Sequence, residues 1–182
     1  MADPARGMLD RYRAYLQILA ELHMAEGIKS KVSASDIVQL TLIEAWKSAD
    51  RIEGWSVPQQ LAWLRKTLAR TLGKVARDLH RRKRDVARER SLEDSLDRSS
   101  RILIETFAVR DPSPSERAER RETLLEVAEG LTRLPPAQRR ALLLYYIDGR
   151  SLGEIGAALE RTPVAVGGLI RRGLKGLRET LP

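Results

Sequence analysis

The chain contains no cysteine and only two histidines, His23 and His80, which stand on different segments. Disulfides, structural zinc and cysteine nucleophiles are thereby excluded, because the first and last need cysteine and structural zinc needs several Cys or His ligands brought together. Aromatic residues are scarce, at 4% of 182 positions. Runs that alternate β-branched and polar residues are almost missing, so the period-two signal of a half-buried strand is absent. No apolar run is long enough for a signal peptide or a membrane span. The expected location is the cytoplasm, without a membrane partner, a metal or a cofactor. What is present is abundant Leu, Ala, Arg and Glu, with 42% hydrophobic content and a formal net charge of +8. That composition predicts an all-α fold and a polyanionic partner, nucleic acid before membrane.

The clearest local pattern lies at residues 152–178. Leu152, Ile155, Ala158 and Leu159 recur at helical spacing. Ser151 stands at the N-cap with Glu154 three residues on, the arrangement of a capping box. Thr162 before Pro163 starts a second helix, since threonine caps well and proline suits the first helical position. On a helical wheel Val166, Ile170, Gly173 and Leu177 form its inner face, while Gly168, Arg171, Arg172 and Lys175 fall outside. The pair reads as a helix-turn-helix with a cationic face free to enter a major groove, or as an ordinary helical hairpin with a solvated basic side.

Upstream, residues 8–26 form a first helix, on which His23 carries no assigned role. A helix capped by Ser35 is expected over residues 36–46 and is apolar round most of its circumference. Such a helix is either wholly buried or keeps one apolar arc for a partner. Gly54 and Pro58 break residues 48–60 into a loop around Trp55, which either folds back onto the core or offers a stacking plane. Residues 61–90 then carry a narrow stripe of Leu61, Leu64, Leu68, Leu72, Val75 and Leu79. Trp63, Lys66, Arg70, Lys74, Arg77 and Arg81 project from the other side. Between positions 65 and 90 eleven Lys or Arg stand against three acids. Like charges repeated at i,i+4 are unfavourable unless an anion lies alongside. Trp63 adds a flat surface for an unstacked base. The segment reads as a groove for phosphates and at least one base, with a basic solvated helix as the plainer alternative.

Serines, acids and the Asp-Pro-Ser-Pro-Ser run at 111–115 mark a linker holding one marginal helix around residues 92–107. Helices at 116–131 and 134–147 then precede the helix-turn-helix. The expected architecture is two small helical domains, residues 1–91 and 117–182, joined by a flexible linker over 92–116.

In this order the pieces resemble an extracytoplasmic-function sigma factor of the sigma-70 superfamily of bacterial RNA polymerase. The resemblance is carried by Asp36, Gln39 and Thr41 with Ala45-Trp46, by Trp63-Leu64 and Ala69-Arg70 running into Arg81-Arg82-Lys83-Arg84, and by Leu134-Pro135 with Arg139. Gly149, Ser151, Glu154-Ile155-Gly156 and Leu159 complete it. It covers about residues 9–90 and 118–181. The resemblance implies core RNA polymerase, through its clamp coiled coil and flap, and promoter DNA as partners, and leaves room for an anti-sigma factor. Asp36, Gln39, Leu40 and Glu44 would face the clamp. The loop with Trp55 would hold a base flipped from the −10 element, and Trp63, Lys66, Arg70, Lys74, Arg77 and Arg81 would grip the separating strand. The last helix would meet the −35 element through Arg161, Thr162, Val164, Ala165, Gly168, Arg171, Arg172 and Lys175. No catalytic residue is implied, because the polymerase makes the RNA.

Departures from the family pattern are local. Leu40 stands where an acid is frequent, Thr71 where Asn is usual, Gly156 in place of Ala, and Glu160 in place of the turn glycine. A left-handed Glu160 is expected to be strained. The recognition helix carries Val164, Ala165, Gly167 and Gly168 where Lys, Ser and Arg are common. It is expected to hold DNA chiefly by phosphate contacts from Arg171, Arg172 and Lys175. The rival readings are a stand-alone helix-turn-helix regulator, which would leave the Trp-bearing basic helix unused, and an enzyme acting on nucleic acid. The latter needs carboxylates converging on one site, and here they are scattered.

Overall fold

The computed structural model describes residues 9–52, 54–80, 86–107 and 119–181, and within them ten helices and no strand. The chain divides into two compact units, Met1–Ser100 and Arg101–Pro182.

In the first unit α1 (Arg13–His23), α3 (Ala34–Trp46) and α5 (Val57–His80) pack on one another. Short helices α2 (Glu26–Lys29) and α4 (Ala49–Ile52) lie in the connections. Tyr12, Tyr15, Leu16, Leu19, Ile37, Leu64 and Leu68 are fully buried there. Full burial of each Leu or Ile contributes on the order of 1.5–3 kcal/mol, which is the main reason these helices hold together.

Two element starts differ from the sequence expectation. The cap of α3 is Ser33, not Ser35: Ser33 Oγ accepts from the Asp36 N–H at 3.1 Å, and the Ser33 N–H donates to the Asp36 carboxylate at 3.0 Å. Ser35 has Val38 three residues on and cannot close such a box. Helix α5 begins at Val57, so Pro58 opens a helix where a loop was expected. The Ser56 N–H and hydroxyl both donate to Gln59 Oε1 at 2.9 Å, and a proline in the first turn loses no helical hydrogen bond.

Helix α6 (Val86–Phe107) occupies much of the expected linker. Its Leu96, Ser99 and Ser100 are buried. Ser100 Oγ lies 2.8 Å from the Tyr15 hydroxyl, Asp97 pairs with Arg65 at 2.8 Å, and Arg65 Nη1 donates to that same hydroxyl at 3.1 Å. His23 Nε2 is 3.0 Å from Ser99 Oγ, which gives this histidine a structural place. Residues 108–116 of the expected linker lie outside the described residues.

The second unit contains α7 (Glu119–Arg133), α8 (Pro136–Tyr146), α9 (Leu152–Leu159) and α10 (Pro163–Thr180). Helix α10 packs on the other three. Arg139, from the Leu-Pro motif, donates to the Thr132 and Leu134 carbonyls at 3.2 and 3.3 Å and so closes the C-terminal end of α7. Gly173 lets α10 approach α8 closely: a Cβ there would lie 2.9 Å from Leu142 Cδ1.

Candidate nucleic-acid interface

The helix-turn-helix is built by local chemistry first. Ser151 caps α9 with a complete box, its Oγ accepting from the Glu154 N–H at 3.3 Å while its own N–H donates to the Glu154 carboxylate at 2.8 Å. The Ser151 hydroxyl, which also donates to the Glu154 carboxylate at 2.6 Å, and then the Ser151 N–H hold that carboxyl below the usual glutamate range. Thr162 Oγ1 accepts from the Ala165 N–H at 3.2 Å, and Pro163 takes the first position of α10. Between the helices Glu160 adopts the left-handed conformation, with φ 54°, as the missing turn glycine predicts. The turn brings the Arg161 carbonyl down onto Gly156, where a Cβ would lie 2.6 Å from that oxygen. Gly156 is thus required by this turn.

The faces of α10 divide as expected. Val166, Ile170, Gly173 and Leu177 are buried, and Arg171, Arg172 and Lys175 are exposed. Arg161, Thr162 and Val164 are exposed at the start of α10, with Ala165 and Gly168 half-buried. The guanidinium of Arg172 lies back over Gly168, within 3.3 Å of where a Cβ would stand. A groove of about 440 Å³ runs beside this face, with Arg171, Lys175 and Arg178 on its rim. Arg178 is a cation that the family pattern does not single out. Its signal in the sequence is i,i+7 spacing from Arg171.

In the first unit the helix that is apolar all round resolves to one buried side and one exposed arc. Ile37, Val38, Thr41, Leu42 and Ala45 are buried. Leu40 is 45% exposed, Ile43 43% and Trp46 53%. Gln39, Ile43 and Trp46 line a cavity of about 600 Å³ together with Leu9 and Arg13. Asp36 is exposed but occupied by the α3 cap, whose Ser33 hydroxyl holds its carboxyl below the usual aspartate range. Glu44 is exposed and paired with Lys47 at 2.7 Å, and feels Lys74 as well. Ile43 and Trp46 belong to the exposed arc as much as Leu40 does. Periodicity alone could not select them, because every arc of this helix is apolar.

The basic face of α5 is partly as expected. Lys66, Arg70 and Lys74 are exposed, and Trp63 is half-buried on the same side. Arg77 is instead bound to Glu89 of α6 at 2.6 Å, so it stands apart from the open cations. Arg81 lies outside the described residues. Trp55 is half-buried, and its loop is held by Gln60, whose Nε2 donates to the Ile52 and Trp55 carbonyls at 3.1 and 3.0 Å. Gln60 is buried, and its Oε1 accepts from the Tyr12 hydroxyl. Nothing in the spacing pattern singled it out. Among the described residues no group of three His, Asp or Glu could hold a metal, and no helix is long and apolar enough to cross a membrane.

Residues 124–177 match the family model for sigma-70, region 4. No curated protein matches the chain. The matched span runs from α7 into α10 and contains α9, the turn and α10 as far as residue 177. Within the second unit, residues 124–177 are thus similar to sigma-70 region 4.

Proposed function

We propose that the chain is a sigma factor of the extracytoplasmic-function type, which binds core RNA polymerase and directs it to promoters. The observation that carries this reading is α10, seated through Val166, Ile170, Gly173 and Leu177 with Arg171, Arg172 and Lys175 turned outward, inside a span similar to sigma-70 region 4. The first unit supports the finer part. Its exposed arc of Leu40, Ile43 and Trp46 is an apolar surface on a helix, the type of surface a partner helix covers. Around Gln39 and Glu44 it is the surface assigned here to the clamp coiled coil, and the second unit is assigned to the flap.

On this reading the first unit holds the −10 element. Lys66, Arg70 and Lys74 contact phosphates of the separating strand, and Trp63 and Trp55 supply aromatic planes near them. Base stacking on an aromatic side chain is worth ~1–3 kcal/mol, comparable to the few kcal/mol needed to unstack a base pair. Binding energy on the single strand thus offsets melting, and the chain needs no catalytic group of its own. The second unit holds the −35 duplex by phosphate contacts.

The test is run-off transcription with purified core polymerase on a genomic fragment library. Defined transcripts that depend on the added chain are expected, and their start sites return the promoter motif. A chain that binds duplex DNA yet neither pulls down core polymerase nor supports initiation is a stand-alone helix-turn-helix regulator.

A further inference from the structure

We propose that Val164 reads a thymine through its 5-methyl group in the major groove, so that selectivity of the helix-turn-helix rests on an apolar contact. This deepens the sigma-factor reading and rests on it. Val164 is 86% exposed, far more than any other large hydrophobic residue that stands out to solvent among the described residues. It is the second residue of α10, directly after Pro163. The buried inner face fixes the rotation of the helix, and Val164 lies opposite it, in one stripe with Gly168, Arg171 and Lys175 at i, i+4, i+7 and i+11.

The N-terminal residues of a recognition helix are the ones that meet base edges, while residues farther along lie nearer the phosphates. The donors near the start of α10 are few. Thr162 Oγ1 accepts from the Ala165 N–H as the cap of the helix and keeps only its one hydroxyl proton to donate, and one Arg161 nitrogen donates to the Glu160 carbonyl at 3.1 Å. Ala165, Gly167 and Gly168 bring no polar atom, and a Cβ at Gly167 would meet nothing within 4 Å, so the backbone can come close to the bases. What the helix presents first is therefore the branched aliphatic tip of Val164. Among the groups that base pairs display in the major groove, only the thymine methyl offers an apolar surface to match it. Donors and acceptors of the other bases would be desolvated against Val164 with nothing in exchange.

The experiment uses holoenzyme reconstituted from core polymerase and the full chain. Promoter duplexes are enriched from a randomised library, then resynthesised with deoxyuridine at single thymines upstream of the melted region. Loss of one buried methyl is worth about a fourfold change in affinity. One thymine is expected at which deoxyuridine weakens binding about fourfold, and Val164→Ala is expected to lose a similar factor and to become indifferent to that replacement. Because Val164 is exposed, the substitution leaves the fold intact, which circular dichroism verifies. An enriched −35 region without a uracil-sensitive position, or sensitivity that persists in Val164→Ala, overturns the proposal while leaving the sigma-factor reading in place. A holoenzyme that enriches no duplex at all overturns both.

Discussion

At the scale of single residues, the turn of the helix-turn-helix stores strain and removes a side chain to accommodate it. A left-handed non-glycine residue costs about 1–2 kcal/mol, and Glu160 occupies that conformation. Glu160→Gly relieves the strain but loosens the unfolded chain, so a net gain of roughly 0.5 kcal/mol is expected in thermal unfolding. Gly156→Ala works the other way. Its Cβ would stand 2.6 Å from a backbone oxygen that cannot swing aside, and a loss of about 1–3 kcal/mol is expected. Equal melting of wild type and Gly156→Ala would contradict the close approach. The capping carboxylates set a pH dependence. Ser151 and Ser33 lower the carboxyls of Glu154 and Asp36. A carboxyl lowered in the folded state contributes stability above its unfolded value and loses it as pH falls through the lowered one. Glu154→Gln should therefore flatten the acid limb of a stability-against-pH curve below the ordinary glutamate range, with little change in slope at neutral pH.

At the scale of elements, α3 and α10 have amphipathic designs of different legibility. In α10 glycines and cations alternate with branched residues, so the wheel had one apolar side and its burial followed. In α3 apolar residues occupy every arc, and only packing against α1 and α5 decided which were covered. Leu40, Ile43 and Trp46 were left out. Replacing Ile43 and Trp46 with Ser is expected to leave unfolding of the first unit nearly unchanged while weakening capture of core polymerase by at least tenfold. Loss of both stability and capture would show that the arc is part of the core. Helix α5 was legible as a basic amphipathic element, yet its Arg77 could not be separated from Lys66, Arg70 and Lys74 by spacing. Glu89, which claims it, stands twelve residues on and on another helix, out of reach of i,i+4 spacing.

At the scale of the whole molecule, a net charge of +8 describes an average, and the structure sorts it into cations that are open and cations that are spoken for. Arg65 and Arg77 are tied to Asp97 and Glu89, whereas Arg171 and Arg172 are exposed on one helix face beside Lys175, which is exposed too and lies 3.9 Å from the Glu179 carboxylate. Each phosphate contact adds about one to the slope of log affinity against log salt. Arg171→Gln, Arg172→Gln and Lys175→Gln together should reduce that slope by about three for promoter binding, measured by holoenzyme titration at several salt concentrations. The same change at Arg65 and Arg77 should alter the slope little and lower stability instead, since it strands buried or half-buried partners.

The amino-acid sequence determined what depends on neighbours a few residues apart. The all-helical class, the two capped helices of the helix-turn-helix, the buried and cationic sides of α10 and the left-handed Glu160 all follow from short-range spacing, capping and backbone sterics. Tertiary structure decided whatever depends on residues distant in the chain. It lengthened the marginal helix expected around residues 92–107 into α6 and docked it, because Ser99, Ser100 and Asp97 found His23, Tyr15 and Arg65. It joined Gln60 to Tyr12, took Arg77 for Glu89, and left Leu40, Ile43 and Trp46 about half exposed. Those outcomes are set by which surfaces meet, and helical periodicity carries no information about the surface on the other side.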